Sequence, residues 1–262
     1  MNNQSFTVIT GASQGLGKAF AEECAIRGRP LVLAALPDTG LLEVARWIER
    51  VHGVRVHALE IDLTADDGPA RLARFIEEGA LAVDTLINNA GIGFNGRFGE
   101  SEAAHNETTI RLNMLALVAL TRLLLPALRR HGRAHVLNVA SLAAFFPMPW
   151  LPVYSSSKSF VLAFSLALRE ELRGTGVSVS VVCPNGIRTN RGARELIARQ
   201  GLAGRLTCQY PEQVARTALR GLLAGRAVIV PGWVNRFIRL ASGLVPRAVA
   251  MRVITRRWNA EA

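Results

Sequence analysis

Tyr154 and Lys158 stand four residues apart in "VYSSSKSF", a spacing that puts both side chains on one face of a helix, one turn apart. A free phenol has a pKa of about 10, too high for a base at neutral pH. A cation held beside it favours the phenolate and lowers that value, so the pair could trade a proton with a bound group. The cation itself is unusual here. Of 31 basic side chains, only Lys18 and Lys158 are lysines. A planar guanidinium fits poorly where a compact ammonium must touch ligand hydroxyls and water. Lys158 therefore reads as a residue chosen for chemistry, and Lys18 as an ordinary exposed helix position.

A helix that presents two such groups needs a frame to aim them. Short apolar runs at 5–10, 31–35, 54–61, 83–89, 134–141, 177–184 and 227–230 alternate with helical periodicity at about 15–28, 41–52, 66–78, 102–130, 154–173 and 211–223. Strands apolar on both faces that alternate with helices imply a parallel sheet covered on both sides. The expected fold is α/β: a Rossmann-type, doubly wound, seven-stranded parallel sheet forming a single domain over residues 1–232. A C-terminal amphipathic helical extension, 233–262, follows it. In such sheets ligands sit beyond the carboxyl ends of the strands, and Gly11, Asp62, Asn88, Ser141 and Pro184 all fall at strand ends.

"TGASQGLG", 10–17, joins the first strand to the first helix. Gly11 permits a tight turn, Gly15 lets backbone approach a pyrophosphate, and Gly17 allows close helix–sheet packing, while the helix N-terminus offers N–H donors. The spacing is T-G-x-x-x-G-x-G. With "NNAG" at 88–91 and the set Ser141…Tyr154-x-x-x-Lys158, the chain resembles the short-chain dehydrogenase/reductase family over about residues 5–232. The resemblance implies a catalytic set of Asn113, Ser141, Tyr154 and Lys158, none of them substituted. Ser141 would hydrogen-bond the substrate oxygen, Tyr154 would exchange its proton, and Asn113 would hold a water in a relay through Lys158. A dinucleotide would be bound by Gly11, Ser13, Gln14, Gly15, Leu16 and Gly17, with Leu36 at its ribose end and Asp62 and Leu63 at the adenine. Asn88, Asn89, Ala90 and Gly91 would line its centre. Pro184, Gly186, Ile187 and Thr189, with Tyr154 and Lys158, would hold the nicotinamide end. Asn185 stands where glycine is usual; asparagine tolerates a left-handed backbone, so the turn is expected to survive.

Coenzyme choice depends on the end of the second strand, where a carboxylate would bind a ribose 2′-hydroxyl and an arginine a 2′-phosphate. This chain has Ala35 and Leu36 there, with Gln14 in the glycine loop and Asp38 read as a helix cap. The expectation is NADP(H) ahead of NAD(H). "LAAFFPMPWLPV", between Ser141 and Tyr154, offers an apolar wall for an acyl, lipid, steroid-like or aromatic carbonyl compound. Residues 189–209 fall where the family places a mobile lid, and Arg188, Arg191, Arg194, Arg199 and Arg205 there read first as a solvated face. The expected activity is interconversion of carbonyl and alcohol by hydride transfer. The alternatives are an NAD-dependent alcohol dehydrogenase and a non-catalytic dinucleotide-binding regulator.

The remaining features narrow the class. Half of the 262 residues are apolar and the net charge is +11. The arginines are spread along the chain without aromatic interleaving, which argues against nucleic acid. Three scattered cysteines form neither a disulfide framework nor a metal cluster, and the N-terminus lacks a signal-peptide pattern, so a cytoplasmic protein without a metal is expected. Residues 112–128 contain Asn113, Arg122 and Pro126 and read as a buried helix rather than a membrane span. Leucine- and alanine-rich helices at 112–128 and 159–168 suit a homodimer or homotetramer. The arginine-rich tail could pack on the core or a subunit, close over substrate, or touch a membrane peripherally; packing leads.

Overall fold

The computed structural model describes residues 5–93, 96–188, 206–243, 245, 251, 252 and 255. Seven strands form one sheet: β1 (Phe6–Thr10), β2 (Leu31–Ala35), β3 (Val56–Glu60), β4 (Val83–Asn88), β5 (Ala134–Val139), β6 (Val177–Val182) and β7 (Val228–Ile229). The order is β3-β2-β1-β4-β5-β6-β7 and every pairing is parallel. The chain winds outward from β1 to β3 and then returns to add β4 on the other side of β1. The crevice between β1 and β4 is thus the switch point at which such sheets hold ligands.

Every residue of β1, β2 and β5 is buried, as expected of strands covered on both faces. The edge strand β3 is only half-buried and shorter than its apolar run, because one side of it has no neighbouring strand. The helices divide between the two faces. α1 (Gly15–Ala25), α2 (Leu41–His52) and α7 (Pro211–Leu223) pack Phe20, Ile48 and Leu219 on one face. α3 (Gly68–Glu78) and α5 (Leu117–Arg129) pack Leu72, Leu120 and Leu128 on the other. α6 (Pro152–Glu171) and α8 (Trp233–Ser242) enclose a third cluster with β6, β7 and the turn that follows β5. α2 ends at Gly53 with a left-handed φ of 66°, the usual glycine stop.

Two expectations are corrected here. The long helix is not uniform: α4 (Ala103–Ile110) runs into a π-helical stretch, Arg111–Ala116, before α5. Nor is it buried all round. Asn113, Leu117, Leu120, Leu124 and Leu128 face inward, while Ile110, Leu115 and Leu123 are exposed. By length and composition Ala103–Arg129 could cross a membrane; in this fold its inner face packs on the sheet. Asp38 does not cap α2, since Gly40 occupies that position and Asp38 is exposed with φ 59°.

Candidate active site

The glycine loop is shaped by close approach. Gly11 and Gly15 adopt φ of +66° and +55°, and a Cβ on Gly17 would lie 1.9 Å from the Gly11 carbonyl oxygen. Only glycine lets α1 start this near β1. No side chain caps α1 at Gln14, so its first-turn N–H groups are left for a ligand. Across the switch point, Thr10 Oγ1 accepts from the Asn89 and Ala90 N–H groups, both at 3.0 Å. Asn89 Nδ2 donates back to Thr10 O at 2.9 Å and Gly11 O at 3.2 Å. These bonds hold the ends of β1 and β4 together beneath the loop.

α6 carries the proton-exchanging pair. Pro152 begins it at a position that needs no N–H partner. Lys158 Nζ lies 5.7 Å from the Tyr154 ring centre and donates to Val139 O at 3.0 Å. Lys158 is buried, which pulls its pKa down to about 8. Burial pushes the Tyr154 phenol up, with the Ser141 hydroxyl pulling the other way. The expectation that Lys158 makes Tyr154 more acidic is therefore corrected for the protein's own groups, in which desolvation wins. Ser141 follows β5; its Oγ accepts from Ala143 N at 3.1 Å, leaving its hydroxyl proton to donate. Leu142 N donates to Pro184 O at 2.7 Å, and Ser159 on α6 donates to Ala144 O at 2.9 Å. The Ser141 turn is thereby fixed to both β6 and α6.

Asn113 sits behind these groups, in the π-helical turn. Its Oδ1 accepts from Ile92 N at 3.0 Å, and its Nδ2 donates to Ile92 O and Ser157 Oγ at 2.8 and 3.0 Å. Single π-turns inside helices recur at functional sites. A Cβ on Gly91 would meet Asn113 Oδ1 at 3.0 Å and Lys158 Nζ at 3.1 Å, and one on Gly93 would press 2.5 Å from Tyr154 Cδ2. The segment after β4 thus lies flat against the whole set.

One cavity of about 1160 Å³ brings these parts together. Among the expected residues, Gly11, Ser13, Gln14, Gly15, Leu16, Gly17, Leu36, Asp62, Leu63, Asn89, Ala90, Gly91, Ser141, Tyr154, Lys158, Pro184, Gly186 and Ile187 line it. Asp62 and Lys158 are the only charged residues among those described that do. Asn113 is beside the cavity rather than on it. Asn88 turns away, donating from Nδ2 to Thr121 Oγ1 and Asn138 Oδ1 at 2.9 Å each. Thr189 lies outside the described residues, as do Arg191, Arg194, Arg199 and Arg205 of the expected lid. Arg188 stacks its guanidinium 5.1 Å from the Tyr210 ring centre.

The apolar wall differs from the one expected. Leu142, Phe146, Met148 and Leu151 contribute, but Phe145 packs into the third core cluster and Trp150 stacks under Arg97 at 5.1 Å. The rest comes from α8, through Phe237, Ile238 and Ala241, and from Val245 beyond it. Asn185 does not adopt a left-handed backbone; its Nδ2 instead reaches Asn235 Oδ1 on α8 at 3.4 Å. Gly93 and Ser157 escaped the sequence reading. A second glycine two residues after Gly91 was the available signal for the first.

The cradle fits a dinucleotide: glycines where any Cβ would collide, an uncapped helix start, and an elongated cavity ending at Tyr154 and Ser141. The sequence model of short chain dehydrogenases matches residues 5–198. Ketoacyl reductase HetN of Nostoc sp. is 32% identical over 216 residues, 82% of this chain and 74% of that protein. Very-long-chain 3-oxoacyl-CoA reductase of Rattus norvegicus is 31% identical over 188 residues; the match spans 70% of this chain but only 60% of the rat enzyme. The solved structure of a short-chain dehydrogenase from Sphingobium yanoikuyae, in complex with NADPH, superimposes with a TM-score of 0.78 at 32% identity, covering 91% of this chain and 93% of that one. The chain belongs to the short-chain dehydrogenase/reductase family, oxidoreductases that act on carbonyl and alcohol groups with a nicotinamide dinucleotide.

Proposed function

We propose that this protein interconverts a bulky apolar ketone and its alcohol, with NADP(H) preferred to NAD(H). The observation that carries the reading is a single cavity in which the glycine cradle, Ser141, Tyr154 and Lys158 meet a wall of Leu142, Phe146, Met148, Leu151 and Phe237. The two relatives described above are reductases of ketoacyl compounds by name, which supports an acyl, lipid or steroid-like substrate over a small polar one.

Bound in the cradle, the dinucleotide supplies or accepts the hydride and, when oxidised, adds a positive ring charge. The chain does the rest. Ser141 offers its hydroxyl as a hydrogen-bond donor to the substrate oxygen, keeping its proton, and orients the carbonyl. Tyr154 releases its phenolic proton to that oxygen as the carbonyl carbon gains hydride, giving the alcohol; oxidation runs the same transfers in reverse. Burial, by holding the phenol protonated, readies it as an acid for reduction. Lys158 holds ligand hydroxyls with its ammonium and restores the proton to Tyr154, with Asn113 and Ser157 keeping the neighbouring backbone in place. The apolar wall excludes water from the exchange.

The coenzyme preference rests on the end of β2. Leu36 and Thr39 line the cavity there and Asp38 does not, so no carboxylate repels a 2′-phosphate, and the molecule is strongly cationic. The three buried cysteines, none of them in a disulfide, suit a reducing, cytoplasmic setting. The exposed leucines of α5 and α6 suit a homodimer or homotetramer. Fluorescence titration with NADPH and NADH, followed by a screen of 3-oxoacyl thioesters, steroid ketones and aryl ketones, tests the reading. It predicts tighter binding of NADPH and turnover of at least one bulky ketone. Tighter NADH binding would overturn the coenzyme assignment, and turnover confined to small polar carbonyls would overturn the substrate class.

A further inference from the structure

We propose that α8 docks on an anionic membrane surface and presents the mouth of the cavity to it, so that an apolar substrate passes from bilayer to active site without crossing water. The substrate route rests on the reading in the preceding section; the docking surface stands on separate observations.

The first is an apolar stripe with nothing packed on it among the described residues. Trp233, Phe237 and Leu240, at i, i+4 and i+7 along α8, are 77%, 69% and 69% exposed, whereas scattered single exposures would need no explanation. The helix is nonetheless firmly placed. Asn235 on its opposite face is buried and donates to Thr207 O at 2.9 Å and Pro231 O at 3.0 Å. Ile238 packs into the third core cluster. The outward face is therefore a property of the fold.

The second observation is continuity with the site. Phe237 both lines the cavity and reaches solvent, and Ala241, Ser242 and Val245 line it from the same segment. The stripe thus adjoins the cavity through Phe237.

Charge selects the occupant. From Trp233 onward the chain has six arginines against one acid, Glu261. On α8 itself Arg236 is exposed, with its Nε donating to Val230 O at 3.0 Å, and Arg239 lies 5.6 Å over the Phe145 ring. Arg236 lies at the exposed surface beside the stripe, so that its charge faces an anionic leaflet while the aromatic and leucine side chains enter the acyl boundary. Each arginine near an anionic leaflet adds to the attraction. A second copy of this chain, with the same surplus of arginine, would be repelled by the face that an acidic bilayer attracts.

Flotation with vesicles of phosphatidylcholine alone and of phosphatidylcholine mixed with phosphatidylglycerol tests the proposal without relying on turnover. The wild-type chain should float with the mixed vesicles, should not float with the neutral ones, and should be released by high salt. Trp233→Ser/Leu240→Ser should weaken flotation by roughly 100-fold, from the loss of two buried apolar side chains. This variant should keep the wild-type rate on a water-soluble ketone and lose rate on one delivered in vesicles. Should the double variant fail to fold, brominated lipid in the mixed vesicles provides a second reading: it should quench wild-type tryptophan emission more than that of Trp233→Phe. Failure of the wild type to float would overturn the proposal. So would a smaller sedimenting species for the double variant together with unchanged flotation, which would make the stripe a subunit contact. Flotation without reduction of any ketone would leave the surface standing and refute the substrate reading instead.

Discussion

Burying an ammonium beside a phenol is costly for both groups, and the costs have opposite pH signatures. Lys158 in the folded chain titrates at about 8 instead of its ordinary 10.5. For a cation whose folded value is depressed, the penalty is complete below about pH 8. It is relieved between 8 and 10.5, where the unfolded chain binds the extra proton. Lys158→Met should therefore raise the melting temperature at pH 7 by about 2–6 °C. The gain should shrink as calorimetry is repeated toward pH 10, while carbonyl reduction falls at least 100-fold. A variant equally stabilised at both pH values would show that the ammonium carries no such burden. Tyr154 and Lys158 were legible in the sequence because i, i+4 spacing has one geometric meaning on a helix. The orientations of Phe145, Trp150, Asn88 and Asn185 were not. A loop or strand-end side chain chooses between cavity and core by tertiary packing, and nothing local records that choice.

Helices α5 and α6 turn exposed leucines outward, Leu123 on the first, with Leu115 in the π-helical turn before it, and Leu166 on the second, on elements whose other faces are packed. Such stripes on firmly held helices suit pairing with a second subunit. Leu123→Arg/Leu166→Arg should leave the fold intact, because both positions face solvent in the single chain. The proposed dimer or tetramer should then give way to a smaller species by sedimentation, with association weakened at least 100-fold, on the order expected for unpaired like charges at an interface. Wild-type sedimentation as a monomer would refute the assignment. The existence of these helices followed from their apolar periodicity, yet the one-sided burial of α5 and the π-helical turn at Arg111–Ala116 did not. A leucine-rich run reads the same whether its second face meets a sheet, a partner or water, and a one-residue change in helical winding leaves no compositional mark.

The molecule as a whole works because the reversal of strand order between β1 and β4 collects residues from distant parts of the chain. Gly11, Asp62, Asn89, Ser141 and Pro184 come from five strand ends and line one cavity, and strand-end position was visible in the sequence because apolar runs stop there. The contribution of α8 was harder to foresee. The tail's amphipathic pattern was clear, but which of its faces would meet the cavity depended on Asn235 and its bonds to Thr207 and Pro231. In the proposed reaction Tyr154 exchanges the proton that completes carbonyl reduction. Single-turnover reduction by Tyr154→Phe, with NADPH binding measured on the same preparation, tests it most directly. NADPH affinity should be unchanged and the rate on the preferred ketone lower by about 1000-fold. A rate equal to wild type on that ketone would contradict it.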